Sequence, residues 1–239
     1  MEETILQLVH VTGKKQRNGF QITDVTMQLR EGYIYAIAGE NGAGKSTTIR
    51  LILDMVQRDG GTVTILGRDS RYTGNMIFDG MDLKAEHAKA MEGIGIISED
   101  CLFFEDRNGK ENAAILGDFY ENYEKERFFS YCKRFQVPLC TSYINLSRGE
   151  KIKWQICFAA ARNCRLYMLD EATAGMDPVF RKVFFDLLHE IMAQTKACIL
   201  MTDHNLHEIS RQTDYVAYME NGRLSGWKES MEVEADVWI

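Results

Sequence analysis

The chain has 239 residues, 45% of them hydrophobic, with 28 Lys and Arg against 35 Asp and Glu for a net charge of −7. That length supplies the core of one large α/β domain, and the acidic balance argues against a general nucleic-acid binder, so no nucleic acid is expected as a partner. No apolar run approaches the roughly 18 residues that span a bilayer, and Met1-Glu2-Glu3-Thr4 shows no basic segment leading into an apolar one, which points to a soluble, intracellular protein.

Two groups of spaced apolar residues open the chain, Ile5, Leu6, Leu8, Val9 and Val11, then Phe20, Ile22, Val25, Met27 and Leu29. Turn signals at Gly13 and Asn18-Gly19 separate them, which predicts two antiparallel strands on the edge of a main sheet. Tyr33 to Ala38 is apolar enough for a buried parallel strand, and Ile49, Ile52, Leu53 and Val56 repeat at helical spacing over Thr47 to Val56. Between strand and helix lies Gly39-Glu40-Asn41-Gly42-Ala43-Gly44-Lys45-Ser46, a phosphate-binding loop in the setting that gives the motif meaning. Its glycines let backbone N–H groups curl around an anion, and the amides of the following helix add partial positive charge. Lys45 is expected on the terminal phosphates and Ser46 on Mg²⁺, with Thr47 completing the loop. The ligand expected is a nucleoside triphosphate.

Further on, Thr62 to Leu66 and Gly93 to Ile97 read as strands, and Asp82 to Met91 as a helix in an otherwise polar stretch. Residues 101–165 change character, with aromatics at Phe103, Phe104, Phe119, Tyr120, Tyr123, Phe128, Phe129, Tyr131 and Phe135 among charges at helical spacing, and predict a helical insertion. Leu166 to Leu169 returns to the core, followed by a helix from Pro178 to about Gln194. Next come a strand from Ala197 to Met201, a helix near Leu206 to Gln212, and a hairpin through Val216-Ala217-Tyr218 and Asn221-Gly222. The alternation from residue 31 onward predicts an open parallel α/β sheet. The six cysteines, Cys101, Cys132, Cys140, Cys157, Cys164 and Cys198, have no paired spacing, so buried reduced thiols are expected and a zinc site is not.

The strand at Leu166 ends in Asp170-Glu171. A carboxylate at a strand end facing the loop suits Asp170 to hold Mg²⁺, and Glu171, pointing differently, suits a general base that polarises the attacking water. Standing alone, such a pair would read as a solvated turn. Leu146-Ser147-Arg148-Gly149-Glu150 precedes a helix with Ile152, Ile156 and Ala160 on its apolar face. By residue physics it is first a helix cap and second an anion-binding terminus.

Leu146 to Glu150 resembles the signature motif, usually written L-S-G-G-Q, of ATP-binding-cassette ATPases. The resemblance runs along nearly the whole chain. Ala174-Gly175-Met176-Asp177 is similar to the family's D-loop, His204 to its switch histidine, and Glu99 falls at the Q-loop position. It implies ATP with Mg²⁺, the metal held by Ser46 and Asp170 with Glu99 approaching it, and Asp170, Glu171 and His204 in the catalytic machinery. Nucleotide contacts would come from Gly39, Glu40, Asn41, Gly42, Ala43, Gly44, Lys45, Ser46 and Thr47 of one subunit, and from Ser147 and Gly149 of a facing second cassette. The partner cassette would make a homodimer or a heterodimer, and both would sit on separate transmembrane permease subunits at the cytoplasmic face of the membrane.

The implied fold is a P-loop NTPase core over residues 1–100 and 165–228 with an N-terminal antiparallel β subdomain. A helical subdomain over about 101–164 carries the signature, and 229–239 form an acidic tail. Asp177 to Arg181 and Phe119 to Tyr123 resemble the bacterial exporter branch. The other classes are a weakly hydrolysing half of an asymmetric pair and a soluble cassette outside transport, the latter opposed by the acidic pI near 5.3 and the single cassette.

Three positions depart from the family pattern. Gly13 to Gly19 holds no aromatic to stack on adenine, which leaves a Gln or Arg face, with Phe20 placed in the core by the strand pattern. Glu99 replaces Gln, and Arg148 and Glu150 replace Gly and Gln in the signature. The aromatics of the insertion have two readings, a permease-docking groove through Phe103, Phe104, Phe119 and Tyr120, or the insertion's own small core.

Overall fold

The apolar runs expected as strands form the centre of the molecule. In the computed structural model, residues 2–71, 77–78, 81–99, 103–174 and 176–233 are described. Five parallel strands make the middle of the main sheet: β3 (Ile34–Ala38), β8 (Ile94–Ser98), β9 (Leu166–Asp170), β10 (Cys198–Asp203) and β11 (Tyr215–Glu220). Their order is β11-β3-β10-β9-β8, and two short strands, β12 (Arg223–Leu224) and β13 (Lys228–Glu229), pair with β11 to complete seven. Every residue of β3 and β10 is buried, as expected of strands covered on both faces.

Side-chain alternation divides the core into two. Ile199 and Met201 of β10, with Ile34, Ala36 and Ala38, face a layer of helices: α4 (Lys125–Arg134), α5 (Arg148–Ala160) and α6 (Pro178–Thr195). Cys198, Leu200, Tyr35 and Ile37 face the opposite way, onto α1 (Lys45–Ile52) and a second sheet. That second sheet has the order β2-β1-β4-β5, from β1 (Thr4–Gly13), β2 (Val25–Arg30), β4 (Arg58–Ile65) and β5 (Arg68–Asp69). The remaining elements are the hairpin β6 (Ile77–Phe78) and β7 (Met81–Asp82), and the helices α2 (Leu83–Glu92), α3 (Gly109–Gly117) and α7 (Leu206–Ile209).

The architecture is the α/β one expected, with these corrections. The two N-terminal strands do not extend the main sheet but stack over it as a sheet of their own, joined by β4. Phe20 and Ile22 precede β2 in a loop, held where Gly13 N–H donates to Ile22 O at 3.0 Å and Thr23 N–H to Gly222 O at 2.8 Å. Helix α1 begins at Lys45, before the first apolar position, because the glycine loop turns directly into it. Helix α7 is one turn. Asn221 and Gly222 both have positive φ, 48° and 77°, the backbone that a two-residue hairpin turn requires. Cys132, Cys157, Cys164 and Cys198 are buried as expected, and burial pushes the Cys164 thiol up to about 11. Cys140 is exposed, and Cys101 lies outside the described residues.

Between β8 and β9 the aromatics divide by position. Phe128, Trp154 and Phe158 pack as a cluster, with Trp154 and Phe158 stacked at 5.3 Å. Phe103 meets Trp154 edge-on at 4.8 Å, whereas Phe104 and Phe119 are exposed. Phe103 and Phe128 thus belong to the insertion's own core, one of the two readings. No described helix is long and apolar enough to cross a membrane.

Candidate functional site

Parallel strands deliver their ends to one edge of a sheet, and the helices and loops that follow meet there. β3 lies between β10 and β11, and register pairs Asp203 with Ala38, so His204 and Gly39 leave adjacent strand ends side by side. On the other side of β10, Thr202 pairs with Asp170, and Asp170 pairs with Ser98 of β8. Gly39, Glu99, Glu171 and His204 therefore emerge along one line.

The loop from Gly39 is shaped by close approach. Gly39 and Gly44 have φ of 155° and 117°. A Cβ on Gly39 would stand 2.3 Å from Met219 O, and one on Gly44 would stand 2.6 Å from Ile22 Cδ1. Only glycine fits both positions. No side chain caps α1, so its first N–H groups remain available to an anion. Lys45 is 3% exposed, and its Nζ donates to Gly39 O at 2.8 Å and Glu40 O at 3.1 Å. Glu40, Asn41 and Gly42 are exposed, Ala43 is buried, and Thr47 is half-buried.

Two carboxylates complete this half. Asp170 Oδ1 accepts from Ser46 Oγ at 3.0 Å and from Thr202 Oγ1 at 2.6 Å. A hydroxyl and a carboxylate oxygen in contact are the hard-oxygen pair that Mg²⁺ takes from protein while phosphate and water fill its other positions, so Ser46 and Asp170 fit the ion. Glu171 stands at φ 48°, uncommon for a residue with a Cβ, and its Oε1 is 3.5 Å from Lys45 Nζ. Its N–H donates to Thr202 Oγ1 at 3.1 Å. Thr202 thus ties the Asp170 carboxylate to the Glu171 backbone, a role announced in the sequence only by a threonine near the end of an apolar strand.

A cleft of about 250 Å³ opens over the loop, lined by Gln16, Asn18, Phe20, Gly42, Gly44, Lys45, Ser46, Thr47 and Glu171. Phe20, expected in the core, is half-buried at this cleft while still packing on the apolar cluster beneath.

Ser147 and Gly149 do not line that cleft. They border a second one of about 350 Å³ with Ala172, Ala174, Met176 and Asp177. Ser147 caps α5: its Oγ accepts from Glu150 N–H at 3.3 Å, while its own N–H and hydroxyl donate to Glu150 Oε2, each at 2.8 Å. Those two donations hold the Glu150 carboxyl below its ordinary value. Arg148 pairs with Glu99 through Nε and donates from Nη2 to Glu171 O at 3.2 Å. The Glu99 carboxylate, expected near the metal, is therefore engaged by a guanidinium.

His204 is exposed, its Nδ1 3.5 Å from Asp203 Oδ1. Asp203 is buried, accepting from Thr173 Oγ1 at 2.7 Å and from Asn205 N–H at 2.8 Å. The switch strand is thereby bonded to the segment leading to Asp177, which caps α6 by accepting from the N–H groups of Val179 and Phe180. Gly175 of the expected D-loop lies outside the described residues.

The family model described as "ABC transporter" matches residues 22–174. The chain is 26% identical over 215 residues to the ABC transporter ATP-binding protein YtrB of Bacillus subtilis (strain 168), covering 90% of this chain and 69% of YtrB. It is 30% identical over 218 residues to the methionine import ATP-binding protein MetN of Geobacillus kaustophilus (strain HTA426), covering 89% of this chain and 61% of MetN. The chain thus spans about two thirds of the length of these relatives. A solved structure described as the ATP binding subunit of an ABC transporter superposes with a TM-score of 0.78 at 24% identity, over 94% of this chain and 90% of the other. Motifs, fold and matched segment agree: the chain belongs to the ABC transporter family as an ATP-binding, ATP-hydrolysing subunit.

Proposed function

We propose that this chain is the motor of a membrane transporter, one of two cassettes that close head to tail over ATP and open after hydrolysis on a separate permease. The observation that carries it is the cluster of Lys45, Ser46, Asp170 and Glu171, with Ser46 bonded to Asp170 at 3.0 Å and Glu171 3.5 Å from Lys45. In this reading Lys45 turns from the carbonyls of Gly39 and Glu40 to the terminal phosphates, beside the N–H groups of the loop. Ser46 and Asp170 would hold Mg²⁺, which would supply charge neutralisation at the phosphates. Glu171 accepts a proton from the attacking water, and His204, leaving its strand beside Gly39, donates toward the γ-phosphate. Ser147 and Gly149, being outside the loop's own cleft, face the nucleotide of the other cassette. Work sits at the cytoplasmic membrane face, with a cleft of about 290 Å³ that includes Met91, Ile96, Phe103, Tyr120 and Arg162 as the permease contact.

The export direction rests on the resemblance of Asp177 to Arg181 and Phe119 to Tyr123, while MetN is an import protein by name. The two point in opposite directions, and the proposal is made without a direction of transport. A second reading, a weakly hydrolysing half of an asymmetric pair, is favoured by one observation: the donors of Ser147 are already given to Glu150 of the same chain.

Light scattering on the Glu171→Gln protein separates the two. With Mg-ATP the motor reading expects a shift from monomer to dimer, lost when Ser147 is also changed to Ala. A persistent monomer that still binds ATP would leave the asymmetric reading standing and sink the symmetric one.

A further inference from the structure

We infer that Arg148 is a positioning residue for Glu171 within its own subunit, with Glu99 as its electrostatic anchor. The inference rests on the proposed role of Glu171 as the base. Ser98 and Asp170 are paired in register on neighbouring parallel strands, so Glu99 and Glu171 leave the sheet together one residue later. Arg148, the first residue of α5, reaches both: Nε meets the Glu99 carboxylate, and Nη2 donates to the carbonyl of Glu171 at 3.2 Å. A guanidinium presents separate edges in one rigid plane, which lets one side chain bridge two strand ends; an ammonium offers no such fork.

The base of this bridge is fixed. Buried Gln155, two turns along α5, accepts from Ser98 N–H at 2.9 Å and donates to Ser98 O at 3.0 Å. Helix and strand end are thus one unit, from which Arg148 extends at a set height. Glu171 is gripped from both sides, its N–H by Thr202 of β10 and its carbonyl by Arg148 and by Ala174 N–H at 3.2 Å. A non-glycine residue at φ 48° persists where its surroundings over-determine it, and Arg148 is one of the determinants. The two replaced positions, Glu99 and Arg148, are each other's partners. Together they do in this chain, in cis, what uncharged Gln and Gly could not: they connect the signature helix to the backbone of the base.

The test uses Arg148→Ala, Arg148→Lys, Glu99→Gln and the Arg148→Ala/Glu99→Gln double variant. Steady-state Mg-ATPase is followed, together with hydrogen exchange over residues 169–174 in the nucleotide-free protein. Arg148→Ala is expected to lower kcat about tenfold with KM changed less than about twofold. Arg148→Lys recovers part of that loss, Glu99→Gln loses less, and the double variant is no slower than Arg148→Ala alone. Exchange at 169–174 speeds in Arg148→Ala. Unchanged exchange, a kcat within twofold of the parent, or losses that multiply in the double variant would each overturn the inference. A parent protein without turnover would overturn the proposed base role instead, while exchange would still decide whether Arg148 holds this segment.

Discussion

The two halves of the site are built differently. The phosphate-loop half is assembled from buried parts: β3 without an exposed residue, Lys45 at 3% exposure, and glycines whose missing side chains admit Met219 O and Ile22. The signature half presents an exposed helix tip whose contacts run through charged side chains: the ion pair of Arg148 with Glu99, and the Glu150 carboxylate accepting from Ser147, with Arg148 and Glu99 side chains 43% and 58% exposed. Buried, shape-determined geometry tolerates almost no change, whereas exposed charge geometry is soft to salt, pH and partner. In the proposed two-cassette motor, the rigid jaw would lie in the core and the adjustable jaw on the insertion.

The comparison breaks most visibly at the glycines. Gly39→Ala forces a Cβ onto Met219 O and is expected to cost about 2–4 kcal/mol in urea melts. Gly42→Ala, at φ 82° with nothing within 4 Å of the added Cβ, costs about 1 kcal/mol from backbone conformation alone. Equal costs would mean that the loop is not clamped by the hairpin. On the soft side, the coupling between Arg148 and Glu99, taken from the stabilities of single and double variants, is expected near about 0.5 kcal/mol at low salt. It should fade by about 0.5 M salt, where the screening length is a few ångströms. A coupling that survives high salt would move this pair to the rigid half. The smallest effect is at Glu150, whose carboxyl is held below its ordinary value by Ser147. Because the folded value is the lower one, the stabilisation is complete above the ordinary glutamate range and is lost as pH falls through the folded value. Glu150→Gln should flatten that acid limb of the stability curve by under about 0.5 kcal/mol, measured from pH 7 to pH 3.

The rigid half was legible in the sequence because each of its residues is constrained locally: glycines that only a loop can use, a lysine and serine at fixed spacing, a strand of apolar residues ending in Asp170-Glu171. Strand β9 could be read because both faces are buried. The soft half was read only as a cap, with resemblance supplying the rest. The bridge from Arg148 to Glu99 and Glu171 joins three segments far apart in the chain, and no local pattern encodes it. Thr202 and the Thr173 to Asp203 bond were missed for the same reason. Phe20 and Ile22 misled because alternation continues through the loop: Ile22 is 1% exposed, so an apolar residue held by a neighbouring hairpin looks like strand.

The clamp on Gly39 has a consequence for what counts as the working unit. Met219 supplies the carbonyl against Gly39 and the sulfur that accepts from Thr48 Oγ1 at 3.6 Å, and Gly222 N–H donates to Ala43 O at 2.9 Å. All three contacts come from the hairpin after residue 214, beyond the 22–174 interval that the family model matches. A chain shortened to that interval would retain the phosphate loop and Asp170-Glu171 and lose, with His204, the wall that shapes the loop. Motif and scaffold have different lengths here, and the longer one sets where the molecule can be divided.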